Sequence, residues 1–279
     1  MIKTKVLFLS FLVLVLSSCG QKNMDDFTGT TAYNADFWQP YQLVLNEVLE
    51  VNNFEYRSVK FVHNSVNYEK LRSSQKLKNL VEKQYQALST VKIPKSREGR
   101  LAFFMNSYNF LTLKDLQDHP QIESMKRLGW KSNRFVVSGQ NLSLDGIEHS
   151  LIRPLKDPRI HFAINCASVG CPSLAKTVFT EKGLFKTLDE LVENSLKNPL
   201  HLKKKGTVIL TTKLLSWFKN DFLIHSEDGL NEFIAKHSSL SGDLNIKTEL
   251  PYDWQLNNKE NILKVLKESA KPYEIKLLK

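Results

Sequence analysis

The sequence lacks the motifs of several large enzyme classes. It contains no glycine-rich phosphate-binding loop, no GxSxG serine-nucleophile elbow and no HExxH pair. These absences leave nucleotide use, serine hydrolysis and standard metalloproteolysis without support, and we expect no cofactor and no metal. The sequence also lacks internal repeats, low-complexity tracts and runs of five like charges, which favours one domain with an ordinary solvated surface.

Cysteine is scarce, since the 279 residues include only three, and the first lies in an N-terminal segment of export type. Lys3 and Lys5 precede an apolar run over residues 6–16, which is too short to span a bilayer comfortably. The run ends in Leu-Ser-Ser-Cys, which resembles a lipobox. We therefore predict a signal peptide at residues 1–18, cleavage before Cys19 and lipid modification of Cys19. A plain signal peptide or an uncleaved anchor is the alternative.

This segment predicts where the mature chain resides. A lipid on Cys19 would anchor the mature chain in the cell envelope. Gly20 follows the cysteine, a pattern that resembles that of lipoproteins sorted by default to the outer membrane, on its periplasmic or its surface side. Removal of Lys3 and Lys5 leaves 37 basic against 29 acidic side chains, a formal charge of +8. An exported basic chain is poorly placed to meet nucleic acid. The expected partners are the membrane, through Cys19, and a peptide or cell-wall substrate.

Apolar periodicity predicts an α+β chain. Residues 19–35 are polar and predict a lipid-anchored tether. Residues 36–257 predict a single domain, in which a helix-rich N-terminal half precedes a small, mostly antiparallel sheet with helices. Residues 258–279 predict a C-terminal helix and tail. The first three helices of the domain are predicted at residues 37–50, 74–88 and 97–116.

The third of these helices carries the sequence AFFMNSYNFLTL, which is nearly all apolar and therefore predicts a central helix. Asn109 or Tyr108 can orient a catalytic group or donate a hydrogen bond to a developing oxyanion. Alternatively, Asn106 and Asn109 tie the helix to a loop, because buried amides need partners.

Residues 145–174 hold the densest set of reactive side chains, DGIEHSLIRPLKDPRIHFAINCASVGCPSL. The first half predicts a short helix that Asp145 caps, with Glu148 reaching back to the cap. Helical spacing places Glu148 inside the apolar arc, so its carboxylate should have a cationic or donating partner. Glu148→Gln should then destabilise the fold or weaken activity. Arg153 can pair with Glu148 or bind a substrate carboxylate.

The second half, RIHFAINC at residues 159–166, predicts a buried strand. Strand alternation puts His161 and Asn165 on one side and Cys166 on the other. His161 and Cys166 therefore meet only if the strand bends at its end. Otherwise His149 is the histidine partner of Cys166.

Cys171 has a different expected setting. It stands directly before Pro172, a favoured first helical residue, so its sulfur is expected at a helix N-terminus, where a thiolate is stabilised. Cys171 is therefore a second candidate nucleophile, or the disulfide partner of Cys166.

Four motifs in one order resemble the domain-of-unknown-function 547 family: AFFMNSYNFLTL, LSLDGIEHSLIR, DPRIHFAINCASVGCPSL and PYDW followed by LN. The resemblance implies a bacterial protein with an α+β domain that is papain-like in architecture, and residues 1–19 make it an envelope member of the family. It implies a site formed by Glu148, His149, His161 and Cys166, and it favours Cys166 over Cys171. The family name carries no established reaction.

Three functions fit these residues. The chain can be a cysteine hydrolase or acyltransferase that acts on peptide or amide bonds in the envelope. It can be a non-catalytic envelope lipoprotein with a Cys166–Cys171 disulfide and a structural network of Glu, His and Arg side chains. It can bind zinc through its cysteines and histidines, although their spacing is loose. For the hydrolase, the roles are Cys166 as nucleophile, His149 or His161 as base, Glu148 as the residue that orients the base, and residues 167–170 as the oxyanion hole.

Overall fold

The computed structural model describes residues 22–127, 129–224 and 226–278. Within these ranges the α-helices are α1 (Gln39–Val48), α2 (Tyr68–Ser73), α3 (Gln75–Thr90), α4 (Arg97–Asp118), α5 (Leu144–Gly146), α6 (Leu184–Lys197), α7 (Leu214–Trp217), α8 (Lys219–Phe222), α9 (Gly229–His237) and α10 (Lys259–Ala270). The strands are β1 (Leu49–Glu50), β2 (Asn53–Tyr56), β3 (Val59–Val62), β4 (Ser65–Val66), β5 (Phe135–Val137), β6 (Gln140–Leu142), β7 (Leu202–Lys205), β8 (Val208–Thr212), β9 (Asn245–Leu250) and β10 (Ile275–Leu278).

The described strands form four small sheets, ordered β1-β4, β10-β2-β3, β5-β6 and β7-β8-β9. Neighbouring strands are antiparallel except β8 and β9, which are parallel. The α+β class is therefore confirmed. The sequence had not predicted β1 to β4, which lie between the first helices of the N-terminal half.

The N-terminal part of the described chain lies against the domain. The predicted signal peptide and Cys19 are outside the described residues. Of the predicted tether, Thr28 donates its backbone N–H to Ser138 O at 2.9 Å, and Phe27 packs against the main core. No helix within the described residues is long and apolar enough to cross a membrane.

Helix α4 is the central helix, as its apolar sequence predicts. Ser96 caps it by accepting the N–H of Gly99 at 3.1 Å. Sixteen of its 22 residues are buried, so neighbours surround it on every side, with α2, α3 and α5 among them. Phe103 is fully buried, and its truncation to alanine would cost about 3–5 kcal/mol.

The other early helices are confirmed with bounds close to the predicted ones. Helix α1 buries Tyr41, Val44, Leu45 and Val48 on one face, and Ser74 caps α3 through the N–H of Leu77. The hairpin of β5 and β6 turns at two residues with positive φ, Ser138 at 50° and Gly139 at 79°, as a two-residue hairpin turn requires. This hairpin leads directly into the segment that carries Glu148.

The strand predicted at residues 159–166 is wrong. Pro158–Phe162 forms a 3-10 helix, and irregular backbone follows it through Cys166. Asp157 caps this helix by accepting the N–H of Arg159 at 3.2 Å, and Pro158 presets the helical φ. Local capping therefore overrides the β-branched and aromatic composition. The helix predicted after Cys171 is also absent, because residues 172–175 have no regular structure.

The C-terminal elements are partly as predicted. The helix after residue 258 is confirmed as α10, with Asn258 as its cap. The predicted tail beyond it contains β10, which pairs with β2. Lys203, Lys204 and Lys205 belong to β7, which pairs with β8.

Candidate active site around Cys166

A pocket of about 240 Å³ brings together most of the sequence-predicted site residues. Its polar lining includes Tyr108, Glu148, His149, His161, Cys166 and Cys171. The predicted candidates Asn109, Arg153 and Asn165 do not line the pocket and instead support residues that do. Trp130, Trp217, Phe218 and Trp254 form much of the apolar wall, and Trp217 is 47 % exposed at its edge.

The backbone that carries Cys166 is fixed from α4. Asn109 donates its side-chain amide to Ala163 O at 2.9 Å and accepts the N–H of Asn165 at 2.8 Å. Asn165 in turn donates to Pro172 O at 2.7 Å and accepts the N–H of Ala167 at 2.7 Å. These amides tie helix to loop, which is the structural alternative that the sequence left open for Asn109.

The residue after Cys166 has a strained backbone. Ala167 has a φ of 63°, in the left-handed region that residues other than glycine rarely occupy. Two hydrogen bonds hold it there: Ala167 N donates to Asn165 Oδ1, and Ala167 O accepts the N–H of Asn257 at 2.9 Å. A sharp turn of this kind presents the Cys166 side chain to the pocket.

The two sulfurs share one hydroxyl. Tyr252 Oη lies 3.0 Å from Cys166 Sγ and 3.0 Å from Cys171 Sγ. Ser168 Oγ is 3.3 Å from Cys166 Sγ, and the backbone N–H of Cys166 donates to Cys171 Sγ at 3.0 Å. Both cysteines are free thiols in this structure.

These contacts make the two thiols inequivalent. Burial raises the pKa of Cys166, but hydrogen bonds from Cys171, Ser168 and Tyr252 outweigh that effect, so the pKa lies below its usual range. Burial raises the pKa of Cys171, and the neighbouring Cys166 raises it further. The thiolate is therefore favoured on Cys166, which agrees with the choice of nucleophile that the family resemblance implied.

Gly170 allows Tyr252 to reach the sulfurs. A Cβ atom on Gly170 would lie 2.9 Å from Cγ of the Tyr252 ring and 2.9 Å from Asp253 N, which is too close for either to remain in place. Gly170 N donates to Asp253 O at 2.9 Å, and Val169 N donates to Gln255 O at 2.9 Å. The missing side chain thus lets the segment of Tyr252 pack directly on the cysteine loop.

Hydrogen bonds within the cysteine loop and to the segment of Tyr252 occupy the donors of the predicted oxyanion hole. In residues 167–170, three backbone N–H groups already donate hydrogen bonds within the protein: that of Ala167 to Asn165 Oδ1, that of Val169 to Gln255 O and that of Gly170 to Asp253 O. A Ser168 backbone hydrogen bond contributes to lowering the Cys166 pKa. The loop therefore stabilises a thiolate instead of offering free donors to a substrate oxygen.

An irregular helix carries Glu148 and His149. Leu144–Gly146 is α-helical, Ile147–Ile152 is a π-helix and Arg153–Leu155 is a 3-10 helix. Ser143 caps the segment by accepting the N–H of Gly146 at 2.9 Å, so the predicted Asp145 cap is wrong. The N–H of Arg153 donates to Glu148 O, five residues earlier, which is the hydrogen bond of a π-helix. Single π-helical turns are frequent at functional sites.

Glu148 does not have the hydrogen-bonding partner that its helical phase predicted. Among the described residues, none donates a hydrogen bond to its carboxyl group or forms a salt bridge with it. Burial and, to a smaller extent, the negative charge of Cys166 raise the pKa of Glu148 to about 8, although the positive charge of Arg153 opposes both. Near neutral pH the carboxyl group therefore carries a proton, and this avoids most of the cost of a buried charge.

A chain of polar contacts connects the two predicted histidines through Asp221. Arg153 binds Asp221 with two parallel hydrogen bonds, Nε to Oδ2 at 2.7 Å and Nη2 to Oδ1 at 2.8 Å. His161 Nε2 is 2.8 Å from Asp221 Oδ2, and His149 Nδ1 is 2.6 Å from Arg153 Nη1. Asp145 Oδ1 lies 3.7 Å from the other His149 nitrogen. Arg153 and His161 hold the pKa of Asp221 well below its usual range, although burial opposes them.

These partners fix the protonation of both rings. Arginine only donates, so His149 Nδ1 accepts, and an ionised Asp221 only accepts, so His161 Nε2 donates. Burial lowers the pKa of both histidines, which keeps them neutral. His161 Nδ1 is then an unprotonated acceptor, buried and without a hydrogen-bond partner among the described residues. Phe218 stacks on the His161 ring at a centroid distance of 4.0 Å and fixes its orientation.

Sequence reasoning missed two residues of this site. Asp221 is the anion that holds His161 and Arg153, and Tyr252 is the hydroxyl that joins the sulfurs. Each is a polar residue in a short segment that is otherwise rich in aromatic residues. That combination is a sequence signal that could have identified both. Neither histidine hydrogen-bonds to Cys166 among the described contacts, so the structure brings the thiol and the histidines to one pocket without joining them. No group of three or more His, Cys, Asp or Glu side chains within the described residues is arranged to hold a metal ion.

Comparison with known proteins supports the resemblance over part of the chain. The family model described as "Protein of unknown function, DUF547" matches residues 94–194. The match covers α4, the Glu148 segment and both cysteines of the pocket, and it ends before Asp221 and Tyr252. No curated protein matches the chain. No solved structure matches it either.

Proposed function

We propose that this protein is a cysteine hydrolase or acyltransferase that acts on peptide or amide bonds through Cys166. The observation that carries the proposal is the set of hydrogen bonds to Cys166 Sγ, which lowers the pKa of this thiol in a pocket open to a small acyl group. A thiolate is the nucleophilic form of cysteine, and a donor set of this kind is what produces it near neutral pH.

The first step is attack of the Cys166 thiolate on the acyl carbon. A carbon–sulfur bond forms, the carbon–nitrogen bond of the amide breaks, and the leaving amine needs one proton. Glu148 is the donor, because its pKa of about 8 keeps it protonated near neutral pH in the same pocket. The step leaves a thioester on Cys166 and a carboxylate on Glu148.

The second step is hydrolysis of the thioester. His161 Nδ1 is the base, because Asp221 holds the ring in the tautomer in which this nitrogen is unprotonated, and no described residue donates a hydrogen bond to it. Water gives one proton to Nδ1 and its oxygen to the acyl carbon, and the carbon–sulfur bond breaks to return the Cys166 thiolate. The proton on His161 passes to Glu148, which restores the starting state. An amine in place of water would give acyl transfer.

We also propose that the protein is a lipid-anchored bacterial cell-envelope protein, attached to the outer membrane through Cys19. The support is the sequence of residues 1–19 alone: two lysines, an apolar run and Leu-Ser-Ser-Cys. This address makes peptides and cell-wall amides the natural substrate class.

A non-catalytic envelope role is the second candidate. The continuous contacts of His149, Arg153, Asp221 and His161 favour it, because a network of this kind joins the π-helix, the 3-10 helix and α8 whether or not chemistry occurs. In this case Cys166 and Cys171 are bridged in the envelope, and a bridged cysteine is no nucleophile.

The test is acylation of the full chain by a small panel of reactive amides and thioesters, followed by intact mass and peptide mapping. We expect an acyl adduct on Cys166, absent in Cys166→Ala, and turnover that falls by about 10²–10⁴-fold in Glu148→Gln because a general acid is lost. Cys171→Ala is the matched control: it should still acquire the adduct on Cys166, with a changed pH profile.

Two results would contradict the proposal. One is an adduct and a turnover that persist in Cys166→Ala. The other is a protein from the envelope whose mass without reductant shows a Cys166–Cys171 bridge and whose reduced form takes no acyl group from any member of the panel. The second result would favour the non-catalytic role.

A further inference from the structure

A second cavity, of about 660 Å³, shares no lining residue with the pocket of Cys166. It lies where β2 and β3 meet the C-terminal end of α6, the start of β7 and the segment after α9. Its volume falls within the range of ordinary ligand sites. It is referred to below as the basic groove.

The floor of the basic groove is apolar. Tyr56 and Val59 face each other across β2 and β3 as a paired position of the sheet, and Val59 is 44 % exposed. Leu196, Leu202 and Leu240 complete the floor. Apolar side chains that line an open groove, with Val59 exposed among them, indicate a site for a ligand with an apolar part.

The rim of the groove is cationic. Of its described lining residues, Glu193 is the one acid, against Arg57, Lys197, Lys203, Lys204 and Lys236. Lys197, Lys204 and Lys236 are exposed, and none of the three forms an ion pair with a described residue. Lys203 is held differently, since it donates to Ser269 O, and burial lowers its pKa. Among the described lining residues, five lysine or arginine side chains therefore face one carboxylate, which leaves the groove with a net positive charge.

We propose that the basic groove binds an anionic phospholipid, with the acyl chain on the apolar floor and the phosphate at the lysine rim. Both features are needed for this assignment. A free anion would not bury the apolar floor, and an uncharged lipid would not neutralise the lysine rim. Lysines beside apolar surface are the usual means by which a protein recognises an anionic head group. The inference is independent of the chemistry proposed for Cys166.

The test is calorimetric titration of the full chain carrying Cys19→Ala, so that no acyl chain at that position competes for the groove. The probe is dihexanoyl-phosphatidylglycerol below its micelle concentration. The comparison ligands are dihexanoyl-phosphatidylcholine, which has the same tails and no net charge, and glycerol 3-phosphate, which has the anion and no tail. We expect the probe to bind on the order of tenfold more tightly than either, and more weakly as salt is added.

The variant is Lys204→Glu with Lys236→Glu, which reverses two rim charges. It should weaken binding of the probe by on the order of tenfold or more. The control reverses Lys78 and Lys83, two exposed lysines of α3 outside the groove, and should leave binding unchanged. Both variants are compared at equal folded fraction, judged by circular dichroism and the midpoint of unfolding.

Each of three results would overturn the inference. Equal binding of the phosphatidylcholine would remove the role of the rim. Equal binding of glycerol 3-phosphate would remove the role of the floor. Binding that survives the double charge reversal in the folded protein would place the lipid elsewhere.

Discussion

Replacing Glu148 by glutamine should stabilise the fold, and the gain should grow with pH. The helical phase of Glu148 had suggested a loss, on the premise that its carboxylate is paired. In the structure the carboxyl group has no hydrogen-bond donor among the described residues, and burial raises its pKa from an ordinary 4.5 to about 8. The folded state therefore keeps a proton that the unfolded chain releases.

The sign and size follow from this linkage. A carboxyl group with a raised pKa penalises folding as the pH rises from the unfolded value to the folded value, and the penalty is constant above that. Each pKa unit is worth about 1.4 kcal/mol, so the penalty is roughly 3 kcal/mol at pH 7 and roughly 5 kcal/mol at pH 9. Glutamine has the shape of the protonated acid and carries no such penalty.

The assay is urea denaturation of both proteins near pH 5, near pH 7 and near pH 9. The difference in free energy of unfolding between Glu148→Gln and wild type should be below about 1 kcal/mol near pH 5 and should rise to several kcal/mol near pH 9. Measuring the pH dependence cancels any difference in packing, which does not vary with pH.

A matched control is Glu249→Gln, an exposed carboxylate on β9 with no ion pair among the described residues. Its stability difference should stay within about 0.5 kcal/mol of zero at every pH. If the difference for Glu148→Gln is constant with pH, or falls as the pH rises, then Glu148 is ionised in the fold and the account of its environment is wrong.

Two further changes test the contacts around the pocket. Asp221→Asn should lower the free energy of unfolding by about 1–3 kcal/mol at neutral pH in urea denaturation, because it removes the carboxylate that Arg153 binds with two hydrogen bonds. Folding lowers the pKa of Asp221, so this contribution should shrink as the pH falls below about 4. Tyr252→Phe should raise the apparent pKa of Cys166 alkylation by about one to two units, because a hydrogen bond to a charged group is worth about 1.5–3 kcal/mol and each pKa unit is worth about 1.4 kcal/mol.

Each of these has a comparison variant. Asp243→Asn, at an exposed position, should leave stability unchanged, and an equal loss in both would mean that the pairing with Arg153 contributes nothing. Tyr108→Phe removes a hydroxyl from the same pocket that does not bond to either sulfur among the described contacts. If it shifts the alkylation pKa as much as Tyr252→Phe does, the shared hydroxyl is not what stabilises the thiolate.

Local signals account for the parts of the fold that were predicted. The three early helices and α10 follow from apolar spacing and capping residues that lie within a few positions of each other. Residues 159–166 show the limit of composition, because Asp157 and Pro158 start a 3-10 helix in a segment whose residues favour a strand. Strands β1 to β4 and β10 were missed, since two- to four-residue strands carry too little periodicity to detect.

The sequence by itself determined which residues could carry chemistry. The cluster at residues 145–174, the central helix with its two amides and the placement of Glu148 inside the fold all follow from residue types and spacing. The preference for Cys166 over Cys171 came from the family resemblance. None of this required knowledge of distant contacts.

Only the tertiary structure decided how these residues are charged and what they touch. His161 meets Asp221 across 60 positions, and Cys166 meets Tyr252 across 86. Contacts at that separation depend on how whole elements pack, which no local pattern encodes. Burial then shifts the pKa of Glu148 upward and of both histidines downward, because a protein interior disfavours charge according to its depth and its neighbours.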